Sequence, residues 1–360
     1  MSRLRLRPYM PLAGHRSPLD GPLRLIAVLA LVSILASAAQ LTRSHLALDS
    51  LRSAVSARLD AGAPCVGAEA LASTSCRDGS DLPLDLDPAL SATDIGVVEG
   101  TLPFIGGCAH HLIGTDVVNK HCVWRTPGAT TTIALVGDSH AAQWADALLQ
   151  VASARRWNVE VYFHGGCLLS DVRGLPSETL VSPQCAAWSL WVGDQLRQRS
   201  DLDTVVYGSH AAAYTAERTG GPTGADAAEA SADVVDSAVA SISAWKGAGR
   251  QVLILRDVPA LGVDVPRCLA SAAAGGARSD PCSVPRAAPT TLDDHESALI
   301  AARLELPLID TTDLFCDESV CHAVVGGVAA YRDDDHITAT FARTAGRALA
   351  DRIDRTAGKK

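Results

Sequence analysis

Positive charge is in short supply in this chain of 360 residues. Its 31 Lys and Arg stand against 40 Asp and Glu, a formal net charge of −9. Phosphate binding needs a basic face, so nucleic acid is excluded as a partner. Aromatic residues make up only 4% of the chain while alanine and glycine abound, so helices packed through small side chains are expected. No internal repeat is visible, which sets aside solenoids and propellers. There is no doubled CxxC-type spacing of the kind that builds a zinc site.

Cysteine itself is plentiful. The ten residues fall as five neighbouring couples: Cys65 and Cys76, Cys108 and Cys122, Cys167 and Cys185, Cys268 and Cys282, Cys316 and Cys321. An even count with short gaps fits a local disulfide framework, although connectivity is not fixed by sequence. Such bridges persist in oxidising compartments. The competing reading, a metal held by Cys316, Cys321 and His322, leaves eight cysteines unexplained.

Export is supported independently at the N-terminus. Arg3, Arg5, Arg7, Arg16 and Arg24 precede an apolar run from Leu25 to Leu41. As a helix this run spans ~26 Å, marginal for a bilayer core. The charge asymmetry places residues 1–24 in the cytoplasm and the rest outside. Ala36-Ser37-Ala38 also resembles a signal-peptide cleavage site. A retained single-pass membrane anchor over 25–41 is the favoured reading, and the bulk of the chain is extracytoplasmic on either.

From Ser44 to about Asp60 the apolar positions Leu48, Leu51, Val55 and Leu59 recur at helical spacing and predict a separate short helix. Prolines make residues 81–88 an extended loop. Residues 42–130 read as a stalk and a small extension pinned by two cysteine couples. From Thr131 short apolar strands alternate with helices to the C-terminus: strands at 131–136, 159–163, 204–207, 251–255 and 307–309, helices at 141–155, 188–199, 225–248, 292–304 and 338–354. That rhythm over 131–357 predicts a parallel sheet covered on both faces, with its site beyond the strands' carboxyl ends.

Two segments carry chemistry. The first strand runs into Gly137-Asp138-Ser139-His140, where a helix begins at once. This puts the Ser139 hydroxyl at the sheet edge and its N–H at a helix start, where an oxyanion is favoured. The plainer reading is that Asp138 or Ser139 caps the helix. Near the other end stands Asp333-Asp334-Asp335-His336. Acyl transfer by serine needs a base near neutrality and a carboxylate to orient it. Asp333, three residues before His336, is preferred for that role over Asp335 and Asp334.

The motifs GDSHAAQW at 137–144 and DDDHIT at 333–338 resemble the SGNH hydrolase superfamily. The likeness is nearest to the extracytoplasmic SGNH domains fused to membrane acyltransferase-3 domains, which O-acetylate surface polysaccharide or peptidoglycan. It extends over most of 64–350, through Pro64-Cys65, the Cys108–Cys122 couple, Gly166-Cys167, Asp257-Val258-Pro259 with Cys268, and Cys316 with Cys321. The resemblance implies a flavodoxin-like three-layer α/β/α sandwich and a Ser–His–Asp mechanism without cofactor or metal. Ser139 becomes the nucleophile, His336 the general base and Asp333 its partner, with backbone N–H groups of Ser139 and Gly166 in the oxyanion hole. The family's third block usually carries an asparagine, whereas this chain has Gly208-Ser209-His210. Ser209 or His210 is the candidate third donor, and His210 reads more readily as a loop or core-edge histidine.

The implied activity is O-acetyl transfer to cell-envelope glycans. With one spanning segment in the chain, its acyl group comes from a separate multi-spanning membrane acyltransferase or a soluble donor. The alternatives are a carbohydrate O-acetyl esterase and a non-catalytic glycan- or partner-binding protein. His110, His111 and His121 read as surface loop, and Trp188 and Trp191 as packing. Peptide mass mapping without reduction is expected to recover the five neighbour couples. Free thiols throughout would undo the argument for export.

Overall fold

The computed structural model describes residues 20–73, 76, 88–100, 121–169, 183–219, 225–246, 249–275, 280–287 and 295–356. The chain divides into two units, residues 1–50 and 51–360. Helix α1 (Asp20–Asp60) is continuous where the sequence suggested an anchor followed by a separate helix. No glycine or proline interrupts it between Leu25 and Asp60, and the Thr42 hydroxyl bonds back to the Ala38 carbonyl within the helix. Leu25 to Leu35 are exposed, and a window of mean hydropathy 2.2 makes α1 long and apolar enough to cross a membrane.

In the larger unit a six-stranded sheet is built from β1 (Cys122–Trp124), β2 (Thr131–Gly137), β3 (Trp157–Phe163), β4 (Thr204–Gly208), β5 (Gln251–Leu255) and β7 (Leu308–Ile309), in the order β1-β3-β2-β4-β5-β7. All pairs are parallel except β1, which runs antiparallel to β3 at one edge. This edge strand was not legible in the sequence: three residues are too few to show a period. Two short antiparallel pairs lie outside the sheet, β6 (Val284–Pro285) with β8 (Val320–Cys321) and β9 (Val324–Val325) with β10 (Val328–Ala329).

Alternation along the strands divides the core. Ile133, Leu135, Val206, Leu253 and Leu255 face one side, with α5 (Ala145–Arg155) and α11 (Ala339–Thr356). Ala134, Val136, Val205, Tyr207, Val252 and Ile254 face the other, with α6 (Pro183–Gln198), α8 (Ala225–Lys246) and α10 (His295–Leu304). Both faces are therefore apolar and helix-covered, as the continuous hydrophobic strands require. The shorter helices are α2 (Glu69–Ala72), α3 (Pro88–Ser91), α4 (Ser139–Ala142), α7 (Ala211–Thr219) and α9 (Val265–Ala274). The single helix expected over 141–155 is two, because the ladder tightens to an i−3 bond at Trp144, whose indole is fully buried.

Disulfides join Cys65 to Cys76, Cys167 to Cys185, Cys268 to Cys282 and Cys316 to Cys321. Cys122 is also disulfide-bonded, and its expected partner Cys108 lies outside the described residues, as do His110, His111 and the loop at 81–87. A metal on Cys316 and Cys321 is overturned, since their sulfurs are bonded to each other. Val55 and Leu59 at the end of α1 join the core of the larger unit. Arg52 clamps Asp94 through Nε at 2.9 Å and Nη2 at 2.6 Å. Asp94 in turn accepts the Thr340 N–H at 3.0 Å and, through its carbonyl, the Ala339 N–H, so the start of α11 is held by the extension.

Close packing of α5 on α11 depends on Gly346, where a Cβ would stand 2.5 Å from the Ala147 carbonyl oxygen. Gly346→Ala is expected to cost about 1–3 kcal/mol through overpacking. A thermal melt indistinguishable from the native one would contradict this packing.

Candidate active site

The turn from β2 into α4 is built around Gly137. Its φ of +151° lies where side chains are rarely accepted, and a Cβ there would stand 1.9 Å from the Gly208 carbonyl oxygen. Absence of a side chain lets the ends of β2 and β4 stay in register beneath the turn. Asp138 then caps α4, with Oδ1 accepting the His140 N–H at 2.9 Å. Its Oδ2 accepts the His210 N–H at 2.9 Å and the Tyr214 hydroxyl at 2.8 Å. The capping reading of Asp138 thus holds, and the same carboxylate ties the serine turn to the start of α7.

Ser139 and His336 meet at the sheet rim: Nε2 of His336 lies 2.9 Å from the Ser139 Oγ. On the other side of the ring, Nδ1 lies 3.0 Å from Asp333 Oδ2 and 2.7 Å from Asp335 Oδ1. Two carboxylates therefore share one ring nitrogen, where the sequence favoured Asp333 over Asp335. Asp333 is fixed further by the His336 N–H at 2.6 Å and the Asp335 N–H at 3.1 Å. Arg332, anchored on Glu99 at 2.8 Å, stands 3.9 Å from Asp333. Burial opposes charge on His336, but the hydrogen bonds to Asp333 and Asp335 outweigh it and push the imidazole up to about 10. Burial would raise both carboxylates; their bonds to His336 instead hold them below the usual range.

The loop carrying His336 is braced from several directions. Gln143 Oε1 accepts the Ile337 N–H at 2.8 Å, and the Tyr331 hydroxyl donates to the Pro259 carbonyl. Asp334 offers its backbone carbonyl to the Leu261 N–H. His140, next to the serine, is only 3% exposed. Its Nδ1 lies 2.7 Å from Asp257 Oδ1, and its ring stacks on His210 at 3.9 Å and leans on His336 at 4.4 Å. Sequence reasoning gave no role to His140, Gln143 or Asp257, although all three lie within the quoted motifs. His210 belongs to this cluster too, with Nδ1 3.6 Å from Asp335 Oδ2.

Gly166 lies beyond the end of β3, in a left-handed conformation (φ +65°) with open space where a Cβ would be. The neighbouring Cys167–Cys185 disulfide pins its loop to α6. Ser209 is placed differently from the sequence-based expectation. It is buried, and its Oγ takes the Tyr207 hydroxyl at 3.1 Å, on the strand face that Tyr207 turns to the core. His121 stacks on Tyr162 at 4.6 Å and pairs with buried Glu160 at 3.4 Å, so it packs at the sheet edge and not in a surface loop. Trp188 is core packing.

Ligand-type atoms of His140, His210 and Asp335 lie within 4.8 Å of one another, as do those of Asp333, Asp335 and His336. The second set is the pair around the base, whose Nδ1 already faces the carboxylates. A third set, His164 with Cys167 and Cys185, has its sulfurs in a disulfide and offers no thiolate.

A serine on a strand-to-helix turn, a histidine at hydrogen-bond distance and a carboxylate behind it, on the carboxyl rim of an α/β/α sandwich, define the serine-dependent class of acyl-processing enzymes. The chain belongs to the SGNH domains fused to AT3 domains, whose family model matches residues 107–351, and is an SGNH-type enzyme. No curated protein matches it. Similar solved structures include the periplasmic domain of a lipopolysaccharide acetyltransferase from Salmonella ser. Paratyphi A, at 13% identity and TM-score 0.45, covering 63% of this chain and 84% of that one. A carbohydrate acetylesterase from Sinorhizobium meliloti has 12% identity and TM-score 0.37, covering 63% and 99%. An M. smegmatis aryl esterase has 14% identity and TM-score 0.34, covering 63% and 100%.

Because the Gly137 clash is with backbone, Gly137→Ala is expected to part β2 from β4 and destabilise the fold by about 2 kcal/mol or more. Unfolding by denaturant reads this directly; a variant of native stability would refute the turn's dependence on glycine.

Proposed function

We propose that the protein transfers an O-acyl group, acetyl in the first instance, to hydroxyls of cell-envelope glycans through an acyl-enzyme on Ser139. The observation that carries the reading is the 2.9 Å approach of His336 Nε2 to the Ser139 Oγ, with Asp333 3.0 Å behind the ring. Neutral His336 takes the serine proton as Oγ bonds to the carbonyl carbon of an acyl ester. The tetrahedral oxyanion is received by the N–H groups of Ser139 and Gly166, with Ser209 set aside because its side chain is buried beside Tyr207. His336 returns the proton to the departing alkoxide. A glycan hydroxyl then gives its proton to His336 and attacks the acyl-enzyme, and His336 passes that proton to the departing Ser139 Oγ. Asp333 keeps the Nδ1 proton on the ring throughout, so that Nε2 faces the serine.

In this reading α1 anchors the chain in the membrane, Asp333–His336–Ser139 works on the outer side, and a separate multi-spanning acyltransferase delivers the acyl group. Family membership supports acyl transfer or hydrolysis in common; anchoring and the AT3 association incline the proposal towards transfer. A fluorophosphonate probe is expected to label the full chain at Ser139, with labelling lost in Ser139→Ala and reduced by at least a hundredfold in His336→Ala, in the range of general-base contributions. Absence of Ser139-dependent label in oxidised, folded protein would overturn the proposal. Acetyl release from an ester that does not speed up with any added glycan acceptor would replace transferase by esterase.

A further inference from the structure

His140 is a histidine that the triad mechanism does not use, and its burial needs a reason. An imidazole so enclosed loses its hydration, and without compensation stays neutral. Its Nδ1 is satisfied by Asp257 at 2.7 Å, a carboxylate that also accepts the Val258 N–H at 2.7 Å. Among the described residues its buried Nε2 has no hydrogen-bond partner, and Asp335 Oδ1 stands 3.9 Å from it. That same Asp335 oxygen stands 2.7 Å from His336 Nδ1. One carboxylate thus lies between two imidazoles, close to one and about 1 Å beyond charge-assisted hydrogen-bond length from the other.

We propose that the Asp257–His140 pair is a positioning arm for His336: its Nε2–H draws Asp335 across whenever His336 becomes neutral, leaving Asp333 as the carboxylate that orients the base for attack. The inference rests on the triad reading above. With both carboxylates close to Nδ1, the proton on His336 is held well above the usual imidazole range. A base that keeps its proton so firmly takes the serine proton less readily. A cationic His140, its ring 4.4 Å from that of His336, disfavours a second positive charge and competes for Asp335. Burial works against charge on His140, yet Asp257 overcomes it and raises its affinity for the proton. Burial and then the neighbouring His140 lower His210, so of the two stacked rings His140 is the one that favours the proton.

The groups facing His140 are Asp257 after β5, Asp138 at the end of β2, His210 at the start of α7, and Asp335 and His336 from the terminal loop. Those facing His336 are Asp333, Asp335 and Arg332 from its own loop, with Ser139 and His140 from α4. Replacing Asp257 by Asn and so discharging His140 leaves the pair's net charge unchanged. The nearer charge to His336 is the lost positive one, so its proton is held more tightly.

The experiment is the rate of fluorophosphonate labelling of the full chain across the neutral and alkaline range. The reactive form is neutral His336, so the rate rises with pH through the midpoint of that residue. Asp335→Asn is expected to lower the midpoint by about one unit or more, and Asp257→Asn to raise it by about half a unit, each within the reach of a neighbouring charge. In the double variant Asp257→Asn should add clearly less than its shift in the native chain, since the carboxylate it releases is gone and only the direct repulsion from His140 remains. His140→Gln provides the same test should Asp257→Asn fail to fold. A uniform fall in rate with an unmoved midpoint, or additive shifts in the double variant, would show a merely structural pair and overturn the inference. Loss of all Ser139-dependent label from the native chain would instead bring down the triad reading itself.

Discussion

The hydrogen bond between Ser139 and His336 joins residues 197 positions apart, and most of the larger unit can be understood as the means of making it. A parallel sheet brings every strand's carboxyl end to one rim, so the turn after β2 and the loop before α11 can meet there. Central placement of β2, with β3 and β4 on either side, surrounds the serine turn with backbone. The histidine arrives from a loop that has no strand of its own to fix it. Its position comes instead from Gln143 below, the 257–265 loop beside it, and Asp94 at the start of α11. The Arg52–Asp94 clamp makes the end of α1 part of that support.

Bringing acids to this rim creates a charge problem that the structure answers in two ways. Asp138 is buried with no cation in hydrogen-bond contact among its described partners, and is satisfied by two backbone N–H groups and the Tyr214 hydroxyl. Such neutral donors satisfy the hydrogen-bonding capacity of a buried carboxylate. Asp257, Asp333 and Asp335 instead face imidazoles, with Arg332 standing behind Asp333. The first arrangement is rigid, because two of its three donors are backbone N–H groups. The second is adjustable, since each histidine can gain or lose a proton, and it is the one that adjoins Ser139.

Legibility in the sequence followed the same division. Strands β2 to β5 were readable because continuous β-branched runs leave few alternatives, and β1 was not, being three residues long with a half-exposed pattern. The continuity of α1 was missed because the apolar run and the helically spaced stretch after it were read as two segments, whereas nothing between them stops a helix. Ser139, Asp333 and His336 were found because each lies in a short motif whose chemistry is local. The relation of Asp335 to His140 could not be found this way. It depends on how a loop after β5 meets one before α11, and only the packed chain brings Asp257, His140 and Asp335 into line.

The same reasoning locates the choice between transfer and hydrolysis. Water and a sugar hydroxyl present the same kind of oxygen to the acyl-enzyme, and His336 would deprotonate either through the same Nε2. Nothing in the triad can therefore prefer one to the other. Preference has to come from placement: a hydroxyl bound next to the acyl group acts at an effective molarity of about 10⁵ M or more when well aligned, enough to outrun water at its bulk concentration. A transferase of this class thus differs from an esterase by an acceptor site and not by its serine, histidine or aspartate. The motifs that identify the family are the part of the molecule on which that distinction leaves no mark.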